Sequence, residues 1–323
     1  MNFYHVISRQ ILPLLILAAL TLVGCEEREA TFIDDGEEIR RYLATTEEGQ
    51  ELFRVEGFVP TDPYYVGTVE YRDSVIDYRR VVVVDQKGFE SDTLTTEFET
   101  DVGKGRIAEV TVQDRWEVQV TSYGPDPEDT NVVFHNRNLM RHGLFVKVGD
   151  DARPYAGWRL WGYNGDTPLT PANVTITRED GTTFPGDPTT YSKQVYFRLY
   201  TNVSPPVYVT TASGEPRPYQ TNAAYTPIDE IPLVSNGDSL QITSEFLTGL
   251  DRYQLAVYES DTGFVVKAMT KELLEDRYIG TVDTRNNNPR RYNTLYLQQI
   301  RFSQQDPEFV THQGWCVPFR IEQ

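Results

Sequence analysis

From about Val55 onward the chain alternates with a period of two, and that period decides what it can fold into. Trp116, Val118 and Val120 alternate with Glu117, Gln119 and Thr121. Val195, Phe197 and Leu199 alternate with Tyr196, Arg198 and Tyr200, and Tyr253, Leu255 and Val257 with Gln254, Ala256 and Tyr258. Successive side chains of a strand point to opposite faces, so each run reads as a half-buried antiparallel strand. Further strands are expected over 65–71, 78–85, 93–100, 106–112, 132–135, 144–148, 159–163, 174–177, 207–211, 239–243, 264–269, 278–283 and 318–321. Turn signals such as Gly124-Pro125-Asp126-Pro127, Asn164-Gly165-Asp166, Asn236-Gly237-Asp238 and Asp261-Thr262-Gly263 punctuate them.

Many short strands with such turns predict a mainly β protein made of two or more antiparallel immunoglobulin-like β-sandwich domains. The polar stretch 149–154 marks a boundary between a sandwich at 55–150 and a sandwich region at 151–323, the latter divisible near 231–238. Helix signals are few. Asp35 and Glu38 have the spacing of a capping box, and Ile39, Tyr42 and Leu43 form an apolar stripe, so a helix is expected to about Thr45, with 47–53 extending it past a break. A second short helical segment is expected over 270–276.

The N-terminus carries an address. Arg9 is the only charged side chain before Glu26, and the apolar run 11–22 is shorter than the roughly 20 residues a spanning helix needs. A charged start and a short apolar run ending at small residues read as a secretory signal peptide. Leu22-Val23-Gly24-Cys25 resembles the lipobox of bacterial lipoproteins. That resemblance implies removal of residues 1–24 and lipidation of the Cys25 thiol, with the chain held to a membrane through its N-terminal lipid. Residues 25–54 then form an acidic tether and a short helix. The expected location is the cell envelope at the outer membrane, on its periplasmic side or at the cell surface.

Composition excludes some functions. With 30 Lys+Arg against 48 Asp+Glu the net charge is -18, which opposes binding to nucleic acid. With Cys25 acylated, Cys316 is the only thiol. It reads as a small buried hydrophobe on the last strand.

Catalytic signatures are missing. No GxSxG, SxxK, GxGxxG or phosphate-binding loop occurs, so the chain is expected not to be an enzyme and to need no cofactor. His135 and His142 are separated by a segment containing Arg137 and Arg141, which would repel a cation, and His312 with Cys316 lacks a third ligand. No metal site is expected from them. Acidic turns at 126–131 and 164–166 offer oxygen ligands for calcium without an EF-hand pattern.

The aromatic stretch Gly157-Trp158-Arg159-Leu160-Trp161-Gly162-Tyr163 is the one ligand candidate. With Leu160 facing the core, strict alternation exposes Arg159, Trp161 and Tyr163 as a strip suited to stacking on a sugar ring. The competing reading packs this face in the interior. Tyr196, Arg198 and Tyr200 form a similar strip. The expected function is therefore a membrane-anchored envelope lipoprotein with a non-catalytic role in binding, adhesion or assembly support, its partner a glycan or an envelope protein. The alternatives are a surface glycan-binding lipoprotein of a nutrient-uptake system and an envelope hydrolase without a recognisable motif.

Overall fold

The computed structural model of the chain describes residues 34–96, 99–126, 128–148, 151–165, 174–178, 193–196, 200–202, 208–210, 216–218, 220–231, 233–237, 239–244, 252–274, 277–287, 289–302 and 310–322. The signal segment, Cys25 and most of the tether lie outside them, as do the side chains of Tyr196, Arg198, Tyr200 and His312. Residues 35–323 form one compact unit.

Two helices open this unit, α1 (Asp35–Thr45) and α2 (Glu47–Leu52), as the spacing predicts. The hydroxyl of Thr46 accepts the Gly49 N–H at 3.0 Å and starts α2. Asp35 has a different role from the expected one. Its Oδ1 accepts from Lys147 Nζ at 2.7 Å and from Trp158 Nε1 at 3.0 Å, which ties the start of α1 to the β-structure.

The strands follow in order: β1 (Tyr64–Val66), β2 (Val69–Thr96), β3 (Glu99–Tyr123), β4 (Thr130–Lys147), β5 (Trp158–Asn164), β6 (Val174–Arg178), β7 (Lys193–Tyr196), β8 (Tyr200–Asn202), β9 (Tyr208–Thr210) and β10 (Pro216–Pro218). Next come β11 (Gln220–Pro227), β12 (Leu233–Ser235), β13 (Ser239–Ser244), β14 (Arg252–Ser260), β15 (Gly263–Ala268), β16 (Thr270–Glu272), β17 (Arg277–Asp283), β18 (Asn293–Phe302) and β19 (Val310–Glu322). The protein is mainly β and its sheets are largely antiparallel.

The larger sheet has the order β10-β9-β2-β3-β4-β19-β18-β14-β15, with β1 added on β2, β5 on β4 and β12 on β19. It curls into a half-barrel, and β1 comes close to β15. Its concave face holds the main core, where Val110, Val112, Trp116 and Val118 of β3 meet Leu255 and Val257 of β14 and Tyr296 of β18. The helices close one end. Tyr42 of α1 meets Phe145 edge-on at 5.3 Å, and Phe53, just after α2, meets Tyr163 at the same separation. The chain then enters the interior, where Phe58 lies 4.8 Å from the Trp116 ring.

A smaller sheet, β16-β17-β13-β6-β7, covers the other face of β14, β18 and β19. Ile242, Tyr278 and Val282 pack there against Ala256, Tyr258, Leu295, Leu297 and Val317. Strands buried on both faces lose their alternation, which is why 253–258 and 294–298 are apolar or neutral on either side.

Several expectations change. β2, β3 and β4 run 28, 25 and 18 residues, each joining segments read as separate strands. Asp114 in β3 and Arg137 and Arg141 in β4 interrupt the apolar alternation, but they point inward and are buried within continuous strands. β4 and β5, on either side of the boundary expected at 149–154, pair with each other within the larger sheet. The segment 270–272 is strand β16, not helix. Its pairing with β17 overrides a local helical preference.

Candidate functional site

Alternation places residues 131, 133, 135 and 137 of β4 on one face, and the register aligns Val120 of β3 with Val133 and Val118 with His135. β2 brings Asp73 opposite Val120, and β1 brings Tyr64 opposite Tyr71. Tyr64, Val118, Val120 and Val133 belong to the main core on this face of the curled sheet, and Tyr71 packs against it. A cavity of about 190 Å³ lies there, walled by Tyr64, Val66, Tyr71, Val120, Val133 and Ile300 and edged by Ser122, Asn131, His135 and Arg137. Ligand sites are commonly found in such mouths, with apolar walls and a few fixed polar groups.

The electrostatics of the cavity centre on Arg137. Its Nη2 lies 2.7 Å from Asp73 Oδ2, and both side chains are essentially inaccessible to water. Tyr64 donates its hydroxyl to Asp73 Oδ1 at 3.3 Å and stacks on Tyr71 with ring centroids 5.6 Å apart. Burial pushes the Asp73 carboxyl above its ordinary value, against the pull of Arg137. Arg137 Nε donates to His135 Nε2 at 3.2 Å. A nitrogen that accepts from a guanidinium carries no proton, so His135 is the neutral tautomer protonated at Nδ1. Burial, with the charge of Arg137, pushes its pKa down to about 4. The remaining donor, Arg137 Nη1, is buried with no hydrogen-bond partner among the described residues.

A second ionic cluster lies deeper. Asp114 accepts from Arg80 Nε at 2.7 Å, from the Tyr78 hydroxyl at 2.6 Å and from Arg141 Nη2. Arg141 also donates to the carbonyls of Leu52 and Arg54, and Arg80 to that of Phe53 at 2.6 Å. This cluster fixes the chain leaving α2, with Asp114 and Arg141 fully buried and Arg80 and Tyr78 partly exposed, so its role is structural.

The expected strip Arg159, Trp161 and Tyr163 is divided between the surface and the interior. Arg159 is exposed and Trp161 half-buried, but Tyr163 is 1% exposed and sits 2.9 Å from Cys316 Sγ. Phe145 pairs with Leu160 while Leu144 pairs with Gly162, so Trp161 is an extra, bulged residue. The bulge reverses the alternation and turns Tyr163 inward. Cys316 is buried on β19, as its setting predicts. Burial and the neighbouring Cys316 hold the Tyr163 pKa well above its ordinary value.

His142 Nδ1 lies 3.1 Å from the Thr111 hydroxyl. Among the described residues, no group of three His, Cys, Asp or Glu side chains is placed to hold a metal ion. The cavity residues His135 and Arg137 were weighed in the sequence only for metal binding. The sign that marks them is two-residue spacing with Asn131 and Val133, which puts polar and apolar groups on one face. No protein-family model, curated protein or solved structure matches the chain.

Proposed function

We propose that the protein is a lipid-anchored component of the cell envelope that binds a small ligand inside its curled sheet without transforming it. The observation that carries the binding reading is the cavity with Arg137 Nη1 at its edge, buried and with no hydrogen-bond partner among the described residues. A buried donor without a partner costs about 1–3 kcal/mol, which an acceptor on a ligand offsets. The non-catalytic reading is supported by His135. Its Nε2 is occupied by Arg137 and its pKa is depressed to about 4, so it is a poor base toward the nearby Ser122 at neutral pH. The sandwich reading is kept for one pair of layers, β14, β18 and β19 against the smaller sheet, supported by the apolar cluster they share.

Anchoring rests on Leu22-Val23-Gly24-Cys25. Cells fed an alkyne palmitate are expected to label the wild-type chain and not Cys25→Ser, which moves from the membrane pellet to the soluble envelope fraction. Equal labelling and pelleting of both chains would sink the anchor. Protease shaving of intact cells then tells the cell surface from the periplasmic side.

A further inference from the structure

Resting on that reading of the cavity, we propose that its ligand is a compact neutral molecule, about one six-membered ring in size, bearing a carbonyl oxygen that accepts from Arg137. Size comes first. A cavity of about 150 Å³ is known to take benzene, so about 190 Å³ leaves room for a ring and one small substituent. The walls fit such a body, since Val66, Val120, Val133 and Ile300 are aliphatic and Tyr64 and Tyr71 are aromatic.

The polar edge sets the chemistry. Arg137 Nη1 carries hydrogens with no partner among the described residues. It is a donor, so the matching ligand group is an acceptor. A sugar presents many hydroxyl donors of its own, and with acceptors at the edge only at groups such as Ser122 and Asn131 the apolar walls would leave most of them unbonded.

Charge separates a neutral carbonyl from a carboxylate. The positive charge of Arg137 is matched by Asp73 at 2.7 Å. An anion would enter a site of zero net charge in a chain of net charge -18, leaving one buried charge without a counterpart. A carbonyl meets the donor without that cost.

The test is calorimetry of the full mature chain in detergent micelles with three probes: benzamide, benzoate and methyl glucoside. Benzamide is expected to bind at least about tenfold more tightly than benzoate, with no heat from methyl glucoside. Val133→Phe keeps the Arg137–Asp73 pair and puts a ring into the cavity, so it is expected to abolish benzamide binding. Benzoate binding as tightly as benzamide overturns the neutral-acceptor proposal, and so does saccharide binding; in either case the cavity remains a binding site. Unchanged benzamide affinity in a folded Val133→Phe protein places the probe elsewhere and also overturns it. Silence from all three probes overturns the ligand class alone, because whether ring fragments enter the cavity at all is read separately from methyl spectra.

Discussion

Asp114→Asn is expected to destabilise the fold by about 3–5 kcal/mol, as removing one partner of a buried ion pair does. Asp114 and Arg141 are both fully buried, and Arg80 and Tyr78 share the same carboxylate. Arg80 is about one-third exposed and can turn to water, so its loss is small. Arg141 has no such exit. Its charge would stay in the core without that carboxylate, held by the carbonyls of Leu52 and Arg54 and the Phe53 ring. The strain should spread to the segment leaving α2, which those carbonyls and that of Phe53 fix in place. Urea unfolding followed by tryptophan fluorescence measures the loss. The double variant Asp114→Leu, Arg141→Met removes both charges and should cost clearly less than the two single changes summed, because no orphan charge remains. A loss below about 1 kcal/mol in Asp114→Asn would show that the cluster adds little.

The second large effect is pH-dependent. His135 has its pKa pushed from 6.5 down to about 4 in the folded protein. Between those values the unfolded chain binds the extra proton and the folded chain does not, so stability rises with pH across the window. The stabilisation is complete above about pH 6.5 and is lost as the pH falls toward 4. At about 1.4 kcal/mol per pKa unit the full amplitude is about 3 kcal/mol. Among the described residues, the groups facing His135 include Arg137, whose Nε it accepts, and Val118 across the strand pair. Asp73, raised by burial, acts with the opposite sign toward the acid end of the range, because there the folded chain holds the proton more tightly. Both wild type and His135→Gln should be unfolded in urea at pH 7 and pH 4. Wild type is expected to lose about 3 kcal/mol more than the variant. Equal losses would mean that His135 is protonated in the folded state, which its acceptance from Arg137 does not allow.

The sequence is legible where one face is apolar and the other polar. Trp116, Val118 and Val120 show their strand plainly, and the stripe Ile39, Tyr42 and Leu43 shows α1. It is misleading where the physics is non-local. Asp114, Arg137 and Arg141 look like surface or turn residues because their partners lie far off in the chain, at Asp73, Arg80 and Arg54. The same three residues hide the length of β3 and β4, within which they lie. One bulged residue, Trp161, reverses the face of Tyr163, and no local pattern shows a bulge in advance. The cavity depends on four strands and the β1 segment meeting at one end of a curled sheet, so its residues carry no contiguous motif.

The most direct measurement is methyl NMR of the full mature chain, labelled at valine and isoleucine and exposed to a panel of neutral one-ring fragments. Shifts confined to Val66, Val120, Val133 and Ile300, with Ile39, Val110, Ile242 and Val282 unmoved, are the expected result. The first set lines the cavity; the second reports the helix end and the smaller sheet. Shifts centred on the second set, or none with any fragment, would contradict the assignment of the cavity as the binding site.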